Sequence, residues 1–510
     1  MCEFVKKLKT PAACVVLAGC LAGTGFGQVW RLQSWPSYGG NVQHTGLSNL
    51  PSAPLQKVLW TTPVDLNPQY SGSDLYIHYA APLITYTGNV IVTVKTGAGG
   101  GFKVEGRNGL TGNLIFTQNT DYILPPSGWT PICGSTLNGL YGLVTPGAGG
   151  TVYLRSRTDK ASSPVTQVAF YGNSTYQANA ATFNSNVYVC TPPTVDNAGN
   201  IFFGFRVFGA NPANLTSGIA RISASGVGSW TPVTTATGDS DAYSTVLNCA
   251  PALSNDQKTL YVAVSRNSGG GYLVGLNTAN LASKYKTRLL DPKSGYDAIL
   301  EDIGSATPMV GPDGDVYFGV IENPFYNDRG WMLHYDSTLG TTKIPGSFGW
   351  DDTPSVVPAQ AVPSYHGTSK YLILTKYNEY AGFPSGDGVN KVAILDPNAS
   401  AFESHNGFNA MKEVLTVVGV TPDTGFRNSG YPNAVREWCI NSAAVDPKNK
   451  CAIVNSEDGH CYRWDFVTNT LSQVLTLSPG IGEAYTSTVI GKFGVSFAIN
   501  NAVLCAMGHS

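Results

Sequence analysis

Charged residues, most of them acidic, recur shortly before the start of short apolar stretches along the chain. Carboxylates that converge on one channel could bind a cation such as Ca²⁺, which takes six to eight oxygen ligands, or could act as an acid/base pair. The alternative is that they close turns by accepting hydrogen bonds from neighbouring backbone N–H groups. The candidate residues are Asp241, Glu301, Asp302, Asp352, Arg436, Glu437 and Glu483.

The stretches that follow these residues share one pattern. A small or polar residue precedes a proline, and then come alternating apolar residues, a tight turn with glycine, and a run of β-branched and aromatic residues. The clearest copy spans residues 307–319. Each copy predicts two short antiparallel strands joined by a hairpin. A second alternating stretch, such as residues 330–336, predicts a third strand, and a looser fourth follows. A helical period is only hinted at over residues 408–416.

The copies predict a ring of four-stranded sheets. From Pro82 to Thr488 they are spaced by about 58 residues, a period typical of repeat architectures. We therefore predict an all-β fold, a single β-propeller domain over residues 28–510. It has eight blades if the copy at residues 143–154 counts, and seven if that copy is an insertion. The stretch at residues 57–63 reads as a strand that completes the last blade and removes its exposed edge.

Composition excludes several classes of protein. The formal net charge is −2 and only 13% of residues are charged, which argues against nucleic-acid binding. Hydrophobic residues make up 42% of the chain, so it is not disordered. No apolar run of about 20 residues lies beyond the N-terminus, which argues against a multi-pass membrane protein.

The first residues predict export. Lys6, Lys7 and Lys9 precede a short apolar stretch, as in a secretory signal peptide. One interpretation is a signal peptide over residues 1–27. The other is a lipoprotein leader over residues 1–19, in which lipid on Cys20 would be the only contact with a membrane. Both place the mature chain outside the cytoplasm, whether secreted, periplasmic or associated with an outer membrane.

Disulfides are possible in such a compartment. Cys451 and Cys461 flank a turn sequence, and a hairpin folded about Ser456 would place them directly opposite each other. Cross-strand Cβ atoms lie ~4.5–5.5 Å apart, which makes a bridge feasible. The alternative is two reduced cysteines packed in a sheet. The sequence has no C-x-x-C motif with a second matching pair, which argues against a structural zinc site.

Two segments mix aromatic and amide side chains, residues 323–327 and 376–380. Tyrosine offers apolar area with a polar tip, so such loops suit recognition of a protein or a carbohydrate. The alternative is ordinary packing between blades.

Residues 35–41, Trp-Pro-Ser-Tyr-Gly-Gly-Asn, and residues 44–48, His-Thr-Gly-Leu-Ser, resemble the opening of bacterial PQQ-like β-propeller proteins. The repeats also resemble those of this family over about residues 30–508. The family shares its architecture with quinoprotein alcohol dehydrogenases. The resemblance implies a propeller fold, and it leaves the function open because the fold hosts both enzymes and binding scaffolds.

The enzymes of this architecture hold PQQ and Ca²⁺ in the central channel, with an aspartate base and in many cases two adjacent bridged cysteines. This sequence has neither adjacent cysteines nor the C-x-x-C-H motif that attaches haem. It therefore favours a non-catalytic binding or scaffold protein without a cofactor, for a protein, a glycan or an envelope component. The alternative is a quinoprotein oxidoreductase that depends on PQQ and Ca²⁺.

Overall fold

The protein is described here from a computed structural model, over residues 35–72, 75, 77–127, 130–131, 133–300, 306–480 and 485–509. Strands account for 43% of the chain and helices for 8%. The strands form eight four-stranded blades in a ring, an eight-bladed β-propeller, as the repeat predicts. Both interpretations of the leader, residues 1–27 and 1–19, fall outside the described residues, and so does Cys20.

Blades 1 to 4 follow one another along the chain, each from an inner strand at the channel to an outer strand. Blade 1 contains Leu83–Ile84, Asn89–Gly97, Gly100–Asn108 and Leu114–Thr120. Blade 2 contains Thr136–Asn138, Gly142–Pro146, Thr151–Arg155 and Val165–Ala169. Blades 3 and 4 have an inner edge made of two short strands. Blade 3 contains Val187–Val189, Thr194–Val195, Ile201–Val207, Gly218–Ile222 and Gly228–Pro232. Blade 4 contains Ala242–Thr245, Ala252–Leu253, Thr259–Arg266, Gly271–Asn277 and Ser283–Arg288.

Blades 5 to 8 complete the ring. Blade 5 contains Met309–Val310, Val316–Val320 and Trp331–Tyr335, and its outer edge is formed by isolated bridges from Trp331–Tyr335 to Thr342 and Gly346. Blade 6 contains Ser355–Pro358, Tyr371–Lys376, Lys391–Glu403 and Phe408–Val418. Blade 7 contains Ala444–Asp446, Cys451–Asn455, His460–Asp465 and Thr470–Thr476. Blade 8 contains Val489–Ile490, Ser496–Asn500, Val503–Gly508 and Lys57–Pro63.

The remaining elements are short. A two-stranded parallel pair joins Ile77–His78 to Thr130–Pro131. In the part of the chain that the structure describes, the α-helices are Asn173–Ala178, Ala180–Asn186, Val233–Thr237 and Thr424–Asn428, and the 3₁₀ turns are Tyr38–Gly40, Ala148–Gly150, Ala359–Ala361 and Lys492–Gly494. Among the described residues, no helix has the length and apolarity needed to cross a bilayer.

Two segments singled out in the sequence have definite places in these blades. The stretch at residues 143–154 is a true part of the ring, because it supplies the second and third strands of blade 2. The alternative prediction of seven blades is therefore wrong. Residues 408–416 are not helical. They lie in the outer strand Phe408–Val418, whose pairing with Lys391–Glu403 overrides the weak helical period.

The N-terminal strand closes the ring as predicted. Lys57–Pro63 pairs antiparallel with Val503–Gly508, with Lys57 opposite Gly508 and Pro63 opposite Val503. The first described strand thus supplies the outer strand of the last blade. This arrangement joins the two ends of the chain in one sheet and removes an exposed edge.

Burial follows the order of the strands within a blade. In Val316–Val320, a middle strand of blade 5, every residue is buried, because the sheet is covered on both faces by neighbouring blades. In Thr470–Thr476, the outer strand of blade 7, exposed and half-buried residues alternate. The core therefore lies between blades, and the inner and middle strands need apolar residues on both faces.

Residues 35–48 run along the inside of the ring and pair with the inner strands. Backbone carbonyls of this segment, which we call the inner segment, accept hydrogen bonds of 2.7–2.9 Å from inner-strand N–H groups of six blades. The donors are Ile84, Leu137, Leu253, Val310, Val356 and Val445. These groups lie on strand edges that face the channel, where they would otherwise lack a strand partner.

Gly46 is the tightest point of the inner segment. Its φ is +59°, a left-handed conformation that favours glycine. A Cβ at this position would lie 2.3 Å from Ser355 Oγ and 2.7 Å from the carbonyl oxygen of Ala443. These two atoms hold each other through a 2.7 Å hydrogen bond, so neither is free to give way.

We expect Gly46→Ala to destabilise the protein by roughly 2–4 kcal/mol, since it adds a backbone penalty and a clash with two fixed oxygens. The measurement is the melting temperature of the purified variant. Gly72→Ala is the matched control, because Gly72 also has a left-handed φ of +65° but no heavy atom within 4 Å of its added Cβ. Equal falls in melting temperature for the two variants would contradict the packed position of the inner segment.

Candidate functional site

The residues just before the inner strands converge on the channel, as the repeat predicts. Together with Tyr38 of the inner segment they surround a cavity of about 20 Å³. Ser135, Asn248, Asn441 and Ser487 are among its polar walls. A cavity of this size holds about one water molecule. At this level the channel is therefore closed by the protein's own side chains.

Two aromatic side chains of the inner segment, Tyr38 and His44, pack against each other at this cavity, and Tyr38 is part of its lining. The hydroxyls of Tyr38 and Thr353 share a 3.1 Å hydrogen bond, and burial raises the pKa of Tyr38. His44 packs edge-on against Tyr38, with ring centroids 5.2 Å apart. The His44 Nδ1–H donates to the carbonyl of Pro308 at 2.8 Å, and burial lowers the pKa of His44 to about 4. His44 is therefore a neutral imidazole with a fixed tautomer at neutral pH.

A group of ionisable residues lies in the same channel, and we call it the channel cluster: Asp351, Asp352, Lys376, His78 and Tyr485. Asp352 is 1% exposed and Lys376 is 2% exposed. Thr375 Oγ1 donates to Asp352 Oδ2. Burial raises the pKa of Asp352 to about 7, and the positive charge of Lys376 opposes part of that rise. A buried carboxyl that titrates near neutrality is a frequent feature of functional sites and also of structural ion networks.

Aromatic rings enclose the two basic members of the channel cluster. The Lys376 ammonium lies 5.5 Å from the ring centroid of Tyr485 and 5.7 Å from that of Phe348. His78 packs on Tyr485 with a centroid distance of 4.4 Å, and burial lowers the pKa of His78. The Lys376 charge is thus surrounded by π-faces and a buried carboxyl, an environment that stabilises a cation away from water.

A second group lies on blade 7 and contains Glu437, Cys439 and Glu457, and we call it the acid–thiol group. The possible ligand atoms of these three residues all lie within 4.8 Å of one another. Glu457 accepts the backbone N–H of Glu437 at 3.0 Å and the Cys439 thiol at 3.6 Å. Burial raises the pKa of Glu457. Arg436 lies 3.7 Å from Glu457 and 3.5 Å from Asp423, so it offsets part of this negative charge.

Tyr380 connects the channel cluster with the acid–thiol group. Its ring lies 6.2 Å from Phe348 and 6.3 Å from Trp350, and its hydroxyl accepts a hydrogen bond from Asn378. Burial raises the pKa of Tyr380, and the nearby charge of Glu437 adds to the rise. Blades 5, 6 and 7 therefore share one continuous polar and aromatic wall.

The structure separates the predicted site residues. It places Asp352 in the channel cluster, and Arg436 and Glu437 at or beside the acid–thiol group. Asp241 lies elsewhere. Its carboxylate contacts Arg266 at 3.2 Å and accepts the backbone N–H of Ser268, so it closes a turn of blade 4. The other three predicted residues, Glu301, Asp302 and Glu483, fall outside the described residues.

Sequence reasoning missed most partners of these groups. Lys376 begins a segment for which recognition and ordinary packing between blades were both open, and the structure favours packing, because Lys376, Asn378 and Glu379 are buried. Its composition gave no signal of burial. The other segment, residues 323–327, does expose Phe325 and Tyr326. One of the two segments thus remains available for recognition.

The predicted pairing of Cys451 with Cys461 is wrong for this fold. Cys451 lies opposite Asp465, and Cys461 lies opposite Asn455, so the two thiols are at opposite ends of the strand pair. The hairpin is centred on Asp458 rather than Ser456, because Gly459, at φ +85°, takes the left-handed position of the turn. Both cysteines are buried free thiols.

The fold is similar to those of several solved structures. A europium-containing methanol dehydrogenase superposes with a TM-score of 0.53 at 10% identity, over 92% of this chain and 90% of that one. A quinohemoprotein alcohol dehydrogenase from Comamonas testosteroni gives 0.54 at 12% identity, over 93% of this chain and 76% of that one. Sqt1 from Saccharomyces cerevisiae gives 0.50 at 10% identity, over 89% of this chain and 99% of that one.

Identities this low indicate a shared propeller architecture and nothing about activity. No protein-family model matches the chain, and no curated protein matches it. The resemblance to quinoprotein-type propellers thus holds at the level of the fold. Function has to be argued from the channel and the surface.

Burial of Asp352 has a consequence for stability. Its pKa is about 7 in the folded protein and ~3.9 in an unfolded chain. The folded state therefore retains a proton that the unfolded state releases, and stability falls as the pH rises from about 4 to about 7. Asp352→Asn keeps an acceptor for Thr375 and cannot ionise. We expect this variant to gain stability relative to the parent between pH 5 and pH 8, by a few kcal/mol at most, in urea unfolding.

Asp241→Asn is the control for this comparison. A hydrogen bond from Ser268 lowers the pKa of Asp241, so that residue is ionised at both pH values in the folded and unfolded states. Its stability difference from the parent should be the same at pH 5 and pH 8. If Asp352→Asn behaved in the same way, the burial of an ionisable Asp352 in the channel would be refuted.

Proposed function

We propose that the protein is an exported, non-catalytic propeller that binds a partner macromolecule on its surface. The observation that carries the proposal is the filling of the channel. Asp352, Lys376 and His78 are buried in the channel, and the space beside Tyr38 holds about one water molecule. A closed channel favours binding through loops and blade edges rather than chemistry at the centre.

The alternative is a quinone-dependent oxidoreductase, which would hold PQQ in the channel. PQQ is a tricyclic tricarboxylate, and it needs a flat slot lined with positive charge and hydrogen-bond donors. The channel cluster holds one ammonium and two carboxyl groups, and aromatic rings lie against the ammonium. The cavity at Tyr38 is far smaller than a tricyclic ring system. The described residues therefore do not fit this cofactor.

Calcium fits poorly as well. The carboxyls of Asp351 and Asp352 lie near the positive charge of Lys376, which would repel a cation, and burial already favours the neutral form of Asp352. The acid–thiol group combines two carboxylates with a sulfur ligand. Calcium prefers oxygen ligands alone, whereas zinc accepts both sulfur and oxygen. The acid–thiol group thus lends no support to a calcium-dependent quinone enzyme.

The leader and the surface support the binding proposal. An export signal at residues 1–27, or a lipid anchor at Cys20, would deliver the propeller to the cell envelope or beyond. There its partner would be a protein, a glycan or another envelope component. Exposed aromatic side chains such as Phe325 are typical of recognition surfaces.

Photo-crosslinking in the native envelope tests the proposal. A photoreactive phenylalanine analogue is placed singly at four exposed positions, Phe325, Phe402, Val227 and Phe493. These positions lie on blades 5, 6, 3 and 8, so they sample different sides of the ring. We expect a crosslinked product of defined mass from one side and none from the others, because a specific interface covers only part of the surface.

The parent protein, purified from the same envelope, is then examined by native mass spectrometry and absorption spectroscopy. The expected result is a polypeptide mass with no quinone absorption, with or without lipid. A stoichiometric quinone together with no crosslink at any of the four positions would overturn the proposal in favour of the oxidoreductase.

A further inference from the structure

A cavity of about 330 Å³ opens at the rim between blades 4, 5 and 6. Its walls come from the loop after blade 4, the loop within blade 5 and the tip of the long hairpin of blade 6. These three elements contribute Lys293, Tyr326 and Asn406, in that order. The volume is within the range of ligand-binding sites. We call this feature the rim cavity.

The buried carboxylate of Asp291 holds the first two walls together. It accepts the backbone N–H groups of Lys293 and Ser294 at 2.7 and 2.9 Å. It also accepts the N–H of Asn323 and the indole N–H of Trp331, both at 2.9 Å. One carboxylate therefore joins the loop after blade 4 to two points of blade 5.

Glu322 folds the loop that carries the exposed aromatic rings. It is buried, and its carboxylate accepts four backbone N–H groups at 2.6–3.0 Å, from Tyr326, Asn327, Asp328 and Gly330. A carboxylate with this many donors is fully satisfied and fixes the backbone around it. The shape of the loop is thus set before any ligand arrives.

Hydrogen bonds tie the third wall to the other two. Lys293 Nζ donates to the carbonyl of Asn406 at 2.6 Å, and Asn327 Nδ2 donates to the carbonyl of His405 at 2.7 Å. Ser294 Oγ donates to the carbonyl of Asn323. The rim cavity is therefore preorganised, which lowers the entropic cost of binding.

Aromatic side chains crowd the elements around the rim cavity. The exposed fractions are 64% for Tyr296, 52% for Phe325, 46% for Tyr326 and 70% for Phe402. The cavity walls are mostly apolar. Phenylalanine has no polar group to offer a sugar hydroxyl, whereas aromatic clusters beside a pocket are typical of protein interfaces.

The exposed charged group at the opening is a lysine. Among the described residues that line the rim cavity, Asp291 and Glu322 are buried and satisfied, and Lys293 is exposed. The Lys293 ammonium lies 5.8 Å from the ring centroid of Tyr326, so a cation and an aromatic face meet at the entrance. A ligand that places an apolar group inside and a carboxylate at the entrance would match both.

We propose that the rim cavity binds a segment of a partner protein that presents an aromatic or long aliphatic side chain next to an acidic residue. The apolar side chain enters the cavity against Tyr326, and the carboxylate pairs with Lys293. This inference rests on the proposed binding function and names the chemistry of the partner.

Fluorine NMR with a small peptide tests this inference on the mature protein. The probe is the dipeptide N-acetyl-4-fluorophenylalanyl-aspartate amide, and its matched control carries asparagine in place of aspartate. We expect the aspartate probe to bind with millimolar or better affinity and the asparagine probe to bind about threefold more weakly at low salt. High salt should remove the difference between the two probes.

Two variants locate the binding. Tyr326→Ser removes the aromatic wall and should weaken the aspartate probe about tenfold. Lys293→Gln should abolish the difference in affinity between the two probes, because the charge that distinguishes aspartate from asparagine is then gone. Phe493→Ser, at an exposed position on blade 8, should change neither affinity. Unchanged melting temperatures show that each variant is folded.

Equal binding of the aspartate probe by the parent and Tyr326→Ser would overturn this site. Displacement of the probe by neutral oligosaccharides such as maltotriose or cellotriose, with no effect of Lys293→Gln, would overturn the peptide assignment in favour of a sugar. Both of these results are independent of the crosslinking experiment, which tests the proposed binding function itself. A crosslinked partner without peptide binding would leave the binding function standing and remove only the rim cavity from it.

Discussion

The inner strand of each blade presents one edge to the channel, and the N–H groups on that edge need acceptors. Neighbouring blades pack face to face and cannot supply them, since hydrogen bonds in a sheet run edge to edge. The inner segment, residues 35–48, supplies carbonyl oxygens to six of these strands at 2.7–2.9 Å. Much else in the centre follows from this contact. Tyr38 and His44 are carried into the channel, and Gly46 is forced into a left-handed conformation between blades 6 and 7.

A channel occupied in this way has little water, and that sets its electrostatics. Removing solvent raises the free energy of a lone charge, so ionisable groups either pair or become neutral. Asp352 shows the second outcome in part, and the Lys376 ammonium lies against aromatic rings, where its charge acts on Asp352. At the rim, buried carboxylates are stabilised in a different way. Asp291 and Glu322 are buried as well, but backbone N–H groups surround them, and they shape loops that present aromatic side chains to solvent.

The architecture was predictable because it follows from local pattern. Alternating apolar residues and turn glycines predict the strands, the repeat predicts eight blades, and the strand pattern of Lys57–Pro63 predicts the closure of the ring. The centre was less predictable because it depends on which distant segments meet. Asp241 was misplaced because blade 4 has an additional inner-edge strand, Ala242–Thr245, that carries it away from the channel. Lys376 is a surface residue by type, and it is buried because segments that precede the inner strands of blades 1, 6 and 8 meet around it. The predicted partner of Cys451 was wrong by four residues, because Gly459 moves the centre of the turn by two residues.

The central claim is that the inner segment pairs with the inner strands and closes the channel from within. Hydrogen–deuterium exchange, read by mass spectrometry on peptides that contain Leu253, Val310, Val356 and Val445, tests it most directly. These amides donate to the inner segment, so the account predicts that they exchange as slowly as the fully buried middle strands, over hours. Exchange within seconds to minutes, while the middle strands stay protected, would mean that the inner edges face an open, hydrated channel, and the account would be wrong.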